Sequence, residues 1–338
     1  VRRALDELAE EITGVIRPLH PDAHDRETWA EWGRDHFGER WYDVPFLWAE
    51  SYFYRKLLAA VGYFGTGPWR GIDPFEPFKS AELAGDELAD DLAALDALPA
   101  DDDGALLTAS LWGNRADLGF QLSAGDDRRD GEPLVVDQSP LLWSRLATAA
   151  PVCVVADNSA RELVPDLVLA DHLLGTGRAS TVALHVKPYP YYVSDATTAD
   201  VTAALRRLVR APGRAGETGR RLWQAMADGV LSVRAHPFSC APWSYDRMPA
   251  DLAAEFAAAG LTIMKGDLNY RRLVGDRAWP TSTPFETTTA YFPGPVAALR
   301  TLKSDVVVGV ADKVREGLDA TGEKWRTTGN HALIQVRS

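Results

Sequence analysis

The sequence predicts an α/β protein: a largely parallel sheet covered on both faces, with a helical N-terminal part. Two observations carry this. From about residue 150 onward, short β-branched runs alternate with helical stretches, which is how strand–helix–strand units read in sequence. Through the first hundred or so residues, apolar side chains recur instead at helical spacing. The 338 residues are 46% hydrophobic and 25% charged. That is enough chain for one large domain or two ordinary ones, and it excludes a disordered or collagen-like polymer.

In the opening segment Leu5, Leu8, Ile12, Val15 and Ile16 share one helical face. A long apolar, aromatic helical segment follows from Pro45 to Phe64, and Trp41 and Trp48 beside it are candidates to line a cleft. A third runs from Ala81 to Leu98, with leucines spaced among acids. Pro99 and the run Asp101-Asp102-Asp103-Gly104 break the pattern. The division expected is therefore a helical domain, 1–104, and an α/β domain, 105–338. Six strands are expected: Val152–Ala156, Thr181–Val186, Leu231–Ala235, Leu261–Lys265, Val306–Val310 and Ala332–Val336. Helices are expected between them at Ala160–Leu174, Ala199–Arg210, Thr218–Asp228 and Pro249–Ala259. Gly175-Thr176-Gly177 reads as a helix stop rather than a dinucleotide fingerprint.

The net charge of −12 argues against binding nucleic acid non-specifically or resting on an anionic membrane. Two cysteines, Cys153 and Cys240, exclude a disulfide framework and a cysteine-rich zinc site. No apolar run approaches the ~20 residues of a membrane span. The opening Val-Arg-Arg-Ala-Leu-Asp-Glu-Leu has acids and no apolar signal core, so a cytoplasmic protein is expected.

In parallel sheets ligands bind beyond the carboxyl ends of the strands, so the residues just after each strand matter most. The first strand runs into Asp157-Asn158-Ser159-Ala160-Arg161-Glu162. One reading is a helix start, with Asn158 or Ser159 as cap and Glu162 reaching back to Ser159 in a capping box. The other is a hard-cation site, because a carboxylate and an amide oxygen suit Mg²⁺ or Mn²⁺. The second strand passes through a Pro/Tyr-rich loop to Ser194-Asp195, where Asp195 is either another cap or a third ligand. A later strand ends in Lys265-Gly266-Asp267-Leu268-Asn269-Tyr270-Arg271. This is a turn and cap, or an anion site built on a helix N-terminus and helped by Arg271. Lysine is scarce, seven against 29 arginines, yet Lys187, Lys265 and Lys303 all sit at these junctions. Leu111-Trp112-Gly113-Asn114-Arg115-Ala116-Asp117-Leu118-Gly119-Phe120 suits either a pocket wall or core packing.

At these residues the chain resembles the metal-dependent damage-control phosphatases, in the subfamily also described as acidic-residue carboxyl methyltransferases. The motifs, in order, are Asp157-Asn158 with Glu162, Val193-Ser194-Asp195, Gly266-Asp267-Leu268-Asn269-Tyr270-Arg271 and Arg300-Thr301-Leu302-Lys303. The resemblance implies a helical N-terminal domain beside a three-layer α/β/α sandwich. It implies that Asp157, Asn158 and Asp195 hold one divalent metal, Mn²⁺, Co²⁺, Ni²⁺ or Mg²⁺. Asp157 and Asn158 then also border the substrate, a small phosphorylated metabolite. Asp267, Leu268, Asn269, Tyr270 and Arg271, with Lys303, hold that substrate, and sugar phosphates such as fructose 1-phosphate and fructose 6-phosphate are the expected class. Asp157, Asn158 and Asp267 are the expected catalytic residues, with Asp157 or Asp267 as general base. Glu162 matches a position linked to S-adenosylmethionine, so carboxyl methyl transfer is the alternative activity. A non-catalytic sugar-phosphate sensor is a third reading. Relatives usually carry Gly where this chain has Ala160, which would strain a left-handed backbone there.

Overall fold

The structure is a computed structural model that describes residues 1–97, 99, 102–113 and 134–338. The chain divides into two compact units. One comprises Val1–Pro77, Tyr189–Ser194 and Cys240–Trp243; the other comprises Phe78–Pro188, Asp195–Ser239 and Ser244–Ser338.

The first unit contains helices α1 (Arg2–Glu11), α2 (Arg26–Trp32) and α3 (Phe46–Val61). Helix α1 stops short of the expected apolar face. Ile16 is buried in extended backbone, its N–H donating to the Glu39 carbonyl at 2.8 Å, with a bridge from Val15 to Arg40 beside it. The unit's core is aromatic. Trp41 and Trp48 do not line a cleft; both are buried and stack on Tyr52, at 5.8 and 4.9 Å between ring centroids. Arg55 forks onto Asp25 at 2.7 and 2.5 Å.

Next come α4 (Glu76–Ala84) and α5 (Asp86–Ala94), which Gly85 separates where one helix was expected, and then α6 (Asp103–Trp112). The remaining elements are β1 (Leu134–Asp137), α7 (Ser139–Arg145), β2 (Ala150–Val155), α8 (Ala160–Gly175), β3 (Ala179–Val186), α9 (Thr198–Arg210), α10 (Gly213–Ala227), β4 (Leu231–Ala235), α11 (Ala250–Ala258), β5 (Leu261–Lys265), α12 (Gly266–Val274), α13 (Phe285–Thr288), β6 (Val296–Thr301), α14 (Asp312–Ala320) and β7 (Ala332–Arg337). Asn114–Phe120, expected as pocket wall or packing, lie outside the described residues, whereas Trp112 closes α6 and is buried.

The seven strands lie in the order β1-β7-β6-β5-β2-β3-β4. Strands β6, β5, β2, β3 and β4 are mutually parallel; β7 runs antiparallel to β6 and parallel to β1. The fold is thus α/β with a largely parallel sheet. The inner faces of the sheet and of α5, α6, α8 and α9 merge in one core built around Val152, Val154, Leu163, Leu167, Leu184 and Ile263.

One strand assignment is corrected. Val306–Val310 forms no strand; β6 lies earlier, at Val296–Thr301, so Arg300 and Thr301 close a strand instead of preceding one. The valine run is apolar because Val307, Val308 and Val310 are buried. Its backbone is satisfied without a strand ladder: Val308 N–H donates to the Tyr270 hydroxyl at 3.1 Å, Gln335 Nε2 donates to the Val308 carbonyl at 2.7 Å, and Gly309 and Val310 N–H donate to the Thr283 and Thr281 carbonyls at 2.7 and 2.8 Å. Strand β1 is the other departure, a four-residue edge that hydrophobic patterning does not reveal. No helix among the described residues is long and apolar enough to cross a membrane.

Candidate active site

Strand β2 sits between β3 and β5. From β2 the chain winds outward through β3 and β4, then returns to β5 on the other side. The carboxyl ends of β2 and β5 therefore flank the point where the winding reverses, the usual crevice of open α/β sheets. Asp157 follows β2 and Gly266-Asp267 follow β5.

Backbone pairing brings Asp195 to the same place. Ala156 N–H donates to the His185 carbonyl and Ala196 N–H to the Asp157 carbonyl, both at 2.9 Å. Asn158 and Asp195 form an antiparallel bridge. Asp195, only 2% exposed, lies 3.6 Å from the Lys187 ammonium. Its carbonyl accepts from Lys79 Nζ at 2.8 Å, and Lys79 also pairs with Asp200 at 3.0 Å. The cap of this region is Thr197, which closes a capping box with Asp200 at the start of α9.

The capping box expected at Ser159 does not form. Ser159 precedes α8 without a side-chain cap, and its buried hydroxyl has no partner. Glu162 turns instead to Asn158, whose Nδ2 donates to Glu162 Oε2 at 2.9 Å and to Asp157 Oδ2 at 3.3 Å. Ala160 holds φ at +50°, the left-handed backbone that costs a residue with a Cβ about 1–2 kcal/mol. That turn is what points Asn158, Glu162 and Asp157 at one another.

Three carboxylates are thus crowded: Asp157, Glu162 and Asp195, all buried. Burial, with Glu162 and Asp195 nearby, holds the Asp157 carboxyl well above the usual carboxylate range, against the pull of Lys187 and Lys303. Gly266 abuts this carboxyl. Its φ is +82°, and a Cβ there would overlap the Asp157 carboxylate. Among the described residues no three His, Cys, Asp or Glu side chains are grouped as a metal cluster; Asp157, Asn158 and Asp195 comprise two carboxylates and an amide. Their chemistry suits a hard divalent cation, and the surplus of buried negative charge is what such an ion would relieve.

The stretch after Gly266 faces mostly inward. Asn269 is fully buried, donates to the Ala156 and Lys265 carbonyls at 3.1 and 2.9 Å, and accepts from Tyr245 at 3.2 Å. It clamps the ends of β2 and β5 together. Tyr270 is buried under Arg300, its hydroxyl donating to Gln335 at 3.0 Å; burial pushes it up to about 12. Leu268 is buried as well, and Arg271 forks onto Asp276 at 2.7 and 3.0 Å. Asp267 Oδ1 gathers the loop after β6: Arg300 at 2.7 Å, the Lys303 N–H at 3.2 Å and the Ser304 hydroxyl at 3.2 Å. The Lys303 side chain is left exposed.

Sequence reasoning did not place Lys79 or Lys187 among the site residues. Lys79 lies in an acidic helical stretch that carries no signal. Lys187 had one, its rarity at a strand end. Lys265 forms a buried network beneath the site, bonding the Ser110 carbonyl, the Ser110 hydroxyl at 2.8 Å and Asp166 at 2.9 Å.

The chain matches the damage-control phosphatase ARMT1-like domain over residues 2–318. It is 32% identical to the damage-control phosphatase ARMT1 of Rattus norvegicus, across 95% of this chain and 82% of the relative. The corresponding protein of Homo sapiens is 32% identical, across 88% of this chain and 75% of the relative, and that of Danio rerio 31%, across 88% and 74%. In solved structures it is similar in fold to a DUF89 family protein from Pyrococcus horikoshii, with a TM-score of 0.51 at 15% identity over 94% of both chains. The chain belongs to the ARMT1-like damage-control phosphatase family.

Proposed function

We propose that this member is a metal-dependent phosphomonoesterase acting on small sugar phosphates of the fructose 1-phosphate and fructose 6-phosphate kind. The observation that carries this is the crowding of Asp157, Glu162 and Asp195 at the reversal point of the sheet, beside Lys187 and the N-terminus of α12. Asp157, Asn158 and Asp195 would hold a divalent cation, Mn²⁺, Co²⁺, Ni²⁺ or Mg²⁺, which when bound would supply positive charge for a phosphoryl oxygen and lower the pKa of a water. The backbone N–H groups of the first turn of α12 and the exposed Lys303 ammonium receive the remaining phosphoryl oxygens. Asp267 fixes the Lys303 loop from below, because its Oδ1 is committed to Arg300, Ser304 and the Lys303 N–H. Asp157 or Asp267 takes the proton of the attacking water. Arg271 sits bonded to Asp276 and reaches phosphate only by leaving that pair.

The test is phosphate release from a sugar-phosphate panel by metal-stripped protein, with each metal restored in turn. Asp157→Ala and Asp195→Ala are each expected to abolish metal-dependent release, and retained activity in both overturns the site. Lys303→Ala is expected to raise KM about tenfold or more, the loss of one charge-assisted contact.

A further inference from the structure

Helices α9 and α10 cross closely. Gly219 of α10 meets the backbone of α9 at Leu208 and Val209, where a Cβ would clash with the Val209 nitrogen. Beside that crossing a groove of about 300 Å³ opens, lined by Arg206, Val209 and Arg210 of α9 and Arg220, Trp223 and Gln224 of α10. Every one of these side chains is exposed, Trp223 at 45%. Arg206, Arg210 and Arg220 form no ion pair among the described residues, although the chain carries a net charge of −12. Arg221, on the next face of α10, shows the contrast, being forked onto Asp171 at 3.0 and 2.5 Å. Gln224 donates to Asp228 at 2.9 Å, and Asp228 forms no ion pair with these arginines among the described residues.

Among the described residues, three exposed guanidinium groups without an acidic partner surround an exposed indole in a protein of net negative charge. No carboxylate lines the groove, which rules against an amine ligand. Guanidinium forks match phosphate oxygens in pairs, and an indole face offers a stacking platform for a flat base. The volume is that of one small molecule. We propose that this groove is a second binding site, separate from the metal-ligand candidates, and that it takes a nucleoside polyphosphate with the base on Trp223 and the phosphates between Arg206, Arg210 and Arg220. The groove lies toward the far end of α9 from the Asp195 loop, about 18 Å along the helix at ~1.5 Å per residue.

The experiment is equilibrium binding of ATP to the full chain in the presence of a chelator, with the Asp157→Ala protein in parallel so that the metal-dependent site contributes nothing. Saturable binding to both proteins is expected. Arg206→Ala with Arg220→Ala is expected to weaken it at least about tenfold. Trp223→Ala is expected to weaken ATP about tenfold while changing tripolyphosphate binding less than about twofold. If the double variant melts early, Arg210→Ala alone is expected to weaken ATP about threefold or more. No saturable binding at about millimolar ATP overturns the proposal. So does ATP affinity that ignores Trp223 and equals that of tripolyphosphate, which would mark a simple anion patch. An oligoglutamate peptide that binds more tightly than ATP, with the same arginine dependence, would assign the groove to an acidic protein segment instead.

Discussion

Gly266 is where backbone geometry and carboxylate chemistry meet. Its φ of +82° and its contact with Asp157 leave no room for a side chain. Gly266→Ala must therefore either push the Asp157 carboxyl aside or rotate the first turn of α12. The expected outcome is a fall in kcat of at least about a hundredfold, the scale of a roughly 1 Å misplacement, with circular dichroism still showing a folded chain. Wild-type kcat in that variant would mean that the Asp157 position is not what the reaction uses. Ala160 is the opposite case: a Cβ at φ +50° is tolerated because the turn it makes directs Asn158 onto Glu162.

Among the elements, α12 is held to the sheet by Lys265, which stands at its N-cap position and whose side chain reaches Asp166 of α8 and Ser110 of α6. Buried pairs of this kind gain little over an apolar replacement, but removing one partner alone strands the other charge. Lys265→Met is expected to cost about 3–5 kcal/mol in denaturant unfolding. Adding Asp166→Asn should return part of that loss, and a strictly additive double variant would show that the two side chains do not act as a pair. Elements also show what the sequence could and could not disclose. Strands β2 to β5 are readable because each is a short apolar run bounded by a helix signal. The valines of 306–310 mimic such a run, since burial selects the same residues whether the backbone pairs with a strand or with Tyr270 and Gln335. At the candidate site, Asp157, Asn158 and Asp267 are legible as polar residues just beyond strand ends, and Asp195 as the acid that closes the loop after β3. Their partners are not: Lys79 comes from a distant helix, and Glu162 reads locally as a capping residue until the backbone turn at Ala160 redirects it.

Stability of the whole molecule should depend on acid and on metal. Burial pushes His185 down to about 4, with Arg234 and His236 adding to the effect. Glu255 Oε1 stands 3.5 Å from its Nε2 but is partly exposed and shared with Arg234, so burial wins. The folded value lies below the unfolded value of about 6.5, so the unfolded chain binds the proton more readily. The contribution is full above about pH 6.5 and is lost as pH falls toward 4, at about 1.4 kcal/mol per unit. In urea unfolding between those limits, His185→Gln is expected to show a shallower slope than wild type by that amount; parallel slopes would count against it. Metal acts in the other direction. Mn²⁺ at a hundredfold its Kd is expected to stabilise the native chain by about 2.7 kcal/mol, read as a rise in Tm that Asp157→Ala lacks. An equal rise in both proteins would place the ion elsewhere.

The place of β7 has a consequence for biosynthesis. This strand, Ala332–Arg337, is the latest of the seven in sequence, yet it lies inside the sheet between β1 and β6. Leu134 of β1 pairs with Ala332, so β1 leaves the ribosome about 200 codons before its partner in the described sheet, a wait of roughly 10 to 40 s at ordinary rates of synthesis. Throughout that interval the newborn chain carries β1 as an unclaimed edge, and β6, made late in it at Val296–Thr301, then stands with one side bare until β7 follows; this is the interval in which a holding chaperone has most to protect.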